Sequence, residues 1–147
     1  AASRVFVKGP GHTRRHIRER SGVWSILPGF SIDDHLFEPM GYSLNAIRDS
    51  RYYTVHVTPQ PIGSYVSFET NSLEGGAEGI VSRVLEIFRP DSCDVILFTP
   101  AAAGRRIKCA YSLKRATRRR LSCGYHVDFR HHYRAEARPR AAYEIVS

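Results

Sequence analysis

The strongest constraint on the fold lies in residues 52–71, YYTVHVTPQPIGSYVSFETN. Apolar and polar side chains alternate from Tyr52 to Thr58, the chain turns through Pro59 and Pro61, and the alternation resumes at Ser64. A period of two sends successive side chains to opposite faces of an extended strand. The stretch therefore predicts an antiparallel hairpin with one buried face and one wet face.

The flanking chain extends this pattern. FSIDDHLFEPMGYSLNAI (30–47) reads as one long or bulged strand interrupted near Pro39 and Gly41, with a turn at RDSR (48–51). SRVFVK (3–8) reads as an edge strand, and GPGHTRRHIRERSG (9–22) as a basic loop with a short helix. The period then changes: Ile80, Val84, Leu85 and Phe88 form an apolar stripe at helical spacing, closed by Pro90, which predicts a helix within 72–90. CDVILFTP (93–100), RIKCAYSL (106–113) and LSCGYHVDF (121–129) return to strand character. The expected fold is α+β, an antiparallel sheet with helices on one face. With 147 residues and neither an internal repeat nor a linker, residues 1–147 are expected to form a single domain with a basic N-terminal loop and a basic C-terminal tail.

Charge is unevenly distributed. The formal net charge is +8, yet residues 31–71 hold five acidic side chains against two arginines. The cations crowd the margins: RRHIRER (14–20), GRRIK (104–108), KRATRRR (114–120) and RAEARPR (134–140). Clusters of this kind attract polyanions, so Arg14, Arg15, Arg18, Arg105, Arg106, Arg118, Arg119 and Arg120 are candidates for RNA or polyanion contact; the simpler alternative is a well-solvated surface or a mobile tail. No aromatic RNA-recognition motif accompanies them. Cys93, Cys109 and Cys123 are an odd set without C-x-x-C spacing, which implies neither a disulfide framework nor a zinc site. Adjacent His131 and His132 on a strand would point to opposite faces, so no metal site is expected there. No apolar run is long enough to span a membrane and no secretory pattern opens the chain, which predicts an intracellular protein.

Two stretches carry a more specific likeness. FEPMGYSLNAI (37–47) together with residues 52–71 resembles the eukaryotic S-adenosylmethionine decarboxylases, whose corresponding runs read close to F-x-P-C-G-Y-S-x-N, T-x-H-x-T-P-E and S-Y-x-S-F-E-T-N. The likeness continues upstream through RERSGVWSILPGFSID (18–33) and downstream through VLEIFRP (84–90) to LFT (97–99), covering roughly residues 14–100.

The resemblance implies a four-layer αββα sandwich of two similar halves, of which this chain resembles the second. It implies decarboxylation of S-adenosylmethionine for spermidine synthesis, through a pyruvoyl group that the proenzyme makes from its own serine by self-cleavage. By the same resemblance, Phe37 stacks on the substrate adenine, and Ser43 and His56 assist self-processing. A hydroxyl suits hydrogen bonding to the oxyoxazolidine of an N-to-O acyl shift, and an imidazole suits removal of the α-proton that opens the ester. Gln60 falls where the family has a glutamate that grips the ribose hydroxyls. Glu69 and Phe98 fall in the charged network that binds putrescine. Read without the resemblance, His56 is a structural histidine, Ser43 a turn hydroxyl, Phe37 and Phe98 core, and Glu69 a partner for an arginine.

Three departures qualify the likeness. Gln60 in place of glutamate loses a charge-assisted bidentate grip, at a cost of ~1–2 kcal/mol in nucleoside binding. Met40 replaces cysteine, which a soft apolar side chain does with little consequence. No Glu-Ser dipeptide, the family's cleavage signature, occurs in the sequence, so the chain is expected not to act alone.

Three functions follow as expectations. The chain supports decarboxylation together with a complementary N-terminal half; or it is a regulatory partner of a true decarboxylase; or it is an inactive homologue serving as an RNA-contacting structural subunit of a ribonucleoprotein such as an organellar ribosome. Each requires a partner or a homodimer to cover the sheet face. Family resemblance implies the cytoplasm, and the basic margins an organelle matrix.

Overall fold

The computed structural model describes residues 5–6, 13–100 and 107–135. The chain divides into two compact units, residues 1–89 and 90–147.

The first unit is built on a four-stranded antiparallel meander, β1 (Ser31–Leu36), β2 (Tyr42–Arg48), β3 (Arg51–Thr58) and β4 (Tyr65–Thr70), in that spatial order. Helices α1 (Arg14–Ser21) and α2 (Gly76–Phe88) belong to the same unit, with a 3-10 turn at Val23–Ser25. Helix α1 starts where the Thr13 hydroxyl accepts a hydrogen bond from the His16 amide and stops at Gly22, which adopts the left-handed conformation. One face of the sheet supplies Tyr42, Leu44, Ala46, Tyr53, Val55 and Val57 to the core, where Ile17, Val23, Ile26 and Ile80 meet them. Val84, Ile87 and Phe88 of α2 pack against that cluster. The expected α+β class, with helices on one face of an antiparallel sheet, is what the unit shows.

The second unit is a three-stranded antiparallel sheet in the order β5–β7–β6, from β5 (Ser92–Thr99), β6 (Ser112–Arg120) and β7 (His126–Tyr133). Among the described residues the strands thus fall into two sheets, of four and three strands.

Several boundaries differ from the sequence reading. Residues 30–47 form a hairpin, not one bulged strand: the break at 37–41 reverses the chain, and β1 pairs with β2 from Ser31↔Ile47 to Leu36↔Tyr42. The helix expected over 72–90 occupies 76–88, because Gly75 and Gly76 both take positive φ and cannot open it earlier. The strand expected at 106–113 lies at 112–120, and the one expected at 121–129 lies at 126–133. KRATRRR is therefore strand, and its poor apolar alternation follows from its place at the sheet edge, exposed along nearly its whole length. Val5 and Phe6 lie in a 3-10 turn; the rest of 3–8, with residues 9–12, Arg105, Arg106 and 136–147, lies outside the described residues.

Candidate functional site

The hairpin that replaces the single strand also assembles the site. Pairing between β1 and β2 sets His35 opposite Ser43, pairing between β2 and β3 sets Ser43 opposite His56, and pairing between β3 and β4 sets His56 opposite Ser67. Four polar side chains therefore form one row across the sheet. Their strand neighbours Asp34, Tyr42, Leu44, Val55 and Val57 are buried on the other side, so the row lies on the face turned away from the core. The next row on that face is Asp33, Asn45, Thr54 and Glu69.

Within the first row Ser43 Oγ and His56 Nδ1 are hydrogen-bonded at 2.9 Å. A hydroxyl and an imidazole so placed can exchange a proton, with the imidazole as acceptor when neutral. Directly opposed residues bring their Cβ atoms to about 4.5–5.5 Å, so Ser43 carries a histidine on either side. His35 leans along its strand toward Phe37, the two ring centroids lying 4.6 Å apart at 64°.

Phe37 sits just beyond β1 and is 46% exposed. Its amide donates to the Gly41 carbonyl at 2.9 Å. Gly41 has φ +123°, and a Cβ there would stand 3.4 Å from Phe37 Cβ. The positive φ is what calls for glycine here, and the Phe37 side chain rests in ordinary contact against it. Gln60 lies in the β3–β4 connection, exposed, its amide held by Ser64 Oγ at 3.0 Å and its carbonyl accepting from the same hydroxyl at 3.1 Å.

Beneath the polar face, a charged network ties β1 to β2 and to α1. Arg18 donates to both Asp34 oxygens, from Nε at 2.7 Å and Nη2 at 2.6 Å, and the Tyr42 hydroxyl donates to Oδ2 at 2.7 Å. Burial works to raise the Asp34 carboxyl, but the hydrogen bonds from Arg18 and Tyr42 outweigh it and hold the group below the ordinary carboxylate value. Burial and the same carboxylate push the Tyr42 phenol well up. The network ties the β1–β2 hairpin to α1 on the face opposite Ser43.

Of the residues singled out from the sequence, the structure joins Ser43 to His56 and places Phe37 and Glu69 on or beside the same face. Phe98 lies in the second unit, on β5, 62% exposed. Arg14, Arg15 and Arg18 have intramolecular partners: the Asp34 carbonyl at 3.2 Å, Glu19 at 2.8 Å and the Asp34 carboxylate. Arg118, Arg119 and Arg120 are exposed on β6. His35 and Ser67 were not among the candidates, although alternation carried through 31–36 and 65–70 places both on the polar face. Among the described residues no group of three or more His, Cys, Asp or Glu side chains could hold a metal ion, and no helix is long and apolar enough to cross a membrane.

Sheet, helices and an outward Ser–His pair define an α+β protein with a hydroxyl–imidazole site on an open sheet face. Known proteins resolve the class further. The family model for adenosylmethionine decarboxylase matches residues 2–144. The S-adenosylmethionine decarboxylase proenzyme of Leishmania donovani is 45% identical over 98 residues, covering 67% of this chain and 23% of that protein. That of Drosophila melanogaster is 39% identical over 95 residues, covering 64% and 27%. The crystal structure described as Trypanosoma brucei AdoMetDC-delta26 monomer superposes with a TM-score of 0.78 at 26% identity, covering 91% of this chain and 60% of that one. The chain belongs to the adenosylmethionine decarboxylase family. It spans about a quarter of the length of those two curated relatives.

Proposed function

We propose that this chain provides one part of the active site of a pyruvoyl-dependent S-adenosylmethionine decarboxylase, the rest being supplied by a complementary N-terminal half-domain. The observation that carries the reading is the 2.9 Å Ser43–His56 hydrogen bond on an open polar sheet face, with the exposed Phe37 ring beside it.

Each residue has a role in this reading. Phe37 offers a flat apolar surface to the adenine. Ser43 holds an oxyanion or carbonyl oxygen near the reacting centre, and His56 accepts a proton during self-processing. Gln60 offers a neutral amide to the ribose hydroxyls. Glu69 takes the part of the acidic residue that responds to putrescine in the family. A pyruvoyl group, when bound, supplies the electron sink for the bond that releases carbon dioxide. The Ser43 hydroxyl and the adjoining imidazole fit the formation of such a group from a neighbouring serine. The absence of any Glu-Ser dipeptide in the sequence supports a complementary segment as its source. The cytoplasm is the compartment this reading implies. The basic strand β6 takes no part in it.

The test is native purification of the tagged chain from its own cell, borohydride reduction, and mass spectrometry of what co-elutes. A partner with a reduced N-terminal pyruvoyl group, and carbon dioxide release that is lost with His56→Ala, is the expected result. Co-elution of an intact decarboxylase that is stimulated equally by wild type and His56→Ala would make the chain a regulatory partner instead. Neither species co-eluting overturns the proposal.

A further inference from the structure

The chain carries cationic runs that the decarboxylase reading does not use, and the structure separates those on α1 from those on β6. On α1, Arg15 and Arg18 are paired to Glu19 and Asp34. On β6 the situation is different. That strand is at the edge of the three-stranded sheet, carries no acidic residue, and exposes Lys114, Arg115, Arg118, Arg119 and Arg120. Lys114 lies over the Tyr133 ring at 4.9 Å, and Arg118 approaches Asp128 at 3.6 Å. Among the described residues, Arg115, Arg119 and Arg120 have no carboxylate within 4.0 Å.

The register distributes these cations along both sides of the edge. Arg115 and Arg119 align with His131 and Val127 on one face, and Arg118 and Arg120 with Asp128 and His126 on the other. At about 3.3–3.4 Å per residue, Arg118 and Arg120 stand ~7 Å apart and Arg115 and Arg119 ~13 Å apart. The strand then enters a tight turn, in which the Leu121 amide donates to the Tyr125 carbonyl at 2.7 Å. Tyr125 stands at that tip, 43% exposed, a few residues beyond the arginines.

We propose that strand β6 and Tyr125 form a binding site for single-stranded nucleic acid, with Arg115, Arg119 and Arg120 reaching from both sides of the edge to phosphates of a backbone that runs along it and a base stacked on the Tyr125 ring. A cationic track ending in an exposed aromatic ring is the combination that single strands use: the charges follow the backbone, and any base stacks on the ring without sequence choice. Cations on an edge strand also deter pairing with other sheets, but that purpose makes no use of an exposed tyrosine at the hairpin tip. A duplex keeps its bases stacked internally and gains nothing from Tyr125, so the site discriminates by strandedness.

The experiment is fluorescence anisotropy of a labelled 20-nucleotide oligouridylate with the full chain from 50 to 200 mM KCl. Three unpaired arginines on a single strand predict a slope of log affinity against log salt of about −2, falling to about −0.7 in Arg119→Gln/Arg120→Gln. Tyr125→Ala is expected to weaken binding ~10-fold at every salt concentration while leaving the slope unchanged, and to leave binding to a duplex of equal length unaltered. All these side chains are exposed, so the variants should melt with the wild type, which circular dichroism checks. Arg15→Gln/Arg20→Gln makes the same change of net charge on α1. Should it cost as much as the β6 pair, binding reflects diffuse charge and the proposal fails. It fails equally if Tyr125→Ala has no effect, if the duplex binds as well as the single strand and loses as much with Tyr125→Ala, or if the oligonucleotide does not bind at 50 mM KCl.

Discussion

Asp34 and Tyr42 are joined by a 2.7 Å hydrogen bond across the β1–β2 hairpin, under the face that carries Ser43. The carboxylate side chain is fully buried while its arginine partner is 36% exposed. Replacing Asp34 with alanine strands the Tyr42 hydroxyl and one edge of the Arg18 guanidinium, and is expected to cost ~2–3 kcal/mol in urea unfolding.

The same carboxylate sets an acid limit. Because the fold holds Asp34 below its ordinary pKa, its contribution is present at neutral pH and is lost as the pH falls through the folded value. Wild type should therefore lose stability below about pH 4, the ordinary carboxylate range. Asp34→Asn should start lower and show a flatter acid limb, measured by urea midpoints from pH 6 to pH 2.

Gly41 is predicted to tolerate no side chain. Its φ of +123° means that Gly41→Ala strains the turn, while the added Cβ, 3.4 Å from Phe37 Cβ and 3.6 Å from the ring, sits in ordinary contact with the aromatic side chain. A loss of ~1–3 kcal/mol, with a shifted Phe37 resonance in NMR spectra, is the expected outcome.

Ser43→Ala should separate stability from chemistry. The serine and its histidine partner lie on the solvent side of the sheet, so the change is expected to cost under about 1 kcal/mol by thermal melting. Assembled with a complementary half-domain, the variant should nonetheless fail to form a pyruvoyl group, read by borohydride labelling.

The cysteines should react in order of environment. Burial, with Cys109 and Asp94 beside it, pushes the Cys93 thiol up to about 11, so little thiolate exists at pH 8. Cys123 is exposed in the β6–β7 connection. Iodoacetamide at pH 8 should label Cys123 first and Cys93 last, followed by peptide mass spectrometry.

Much of the first unit was legible in the sequence because its strands are half-buried. Tyr53, Val55 and Val57 alternate with exposed neighbours, and that alternation is the strand signal itself. The break at 37–41 was legible at Pro39 and Gly41, but not that it reverses the chain: Phe37 and Met40 keep the stretch apolar, and the antiparallel pairing of β1 with β2 is a relation between segments that periodicity does not register. Strand β6 was displaced for the opposite reason. An edge strand exposed along nearly its whole length has no buried face to impose a pattern. Ser43 and His56 were legible only through family resemblance. The flanking His35 and Ser67 required the hairpin register, which arises from pairing between segments and not from either segment alone.

The row His35–Ser43–His56–Ser67 has a corollary for how such a chain can change over time. In a strand, the residues that face solvent and those that face the core are interleaved one by one, so a single residue inserted or deleted within β2 or β3, between 43 and 56, would exchange their roles along the segment it shifts. Ser43 would move inward and Leu44 or Tyr42 outward, dissolving the core and the site in one event. Loops elsewhere can lengthen freely, but here the spacing of the polar pair is policed by stability itself.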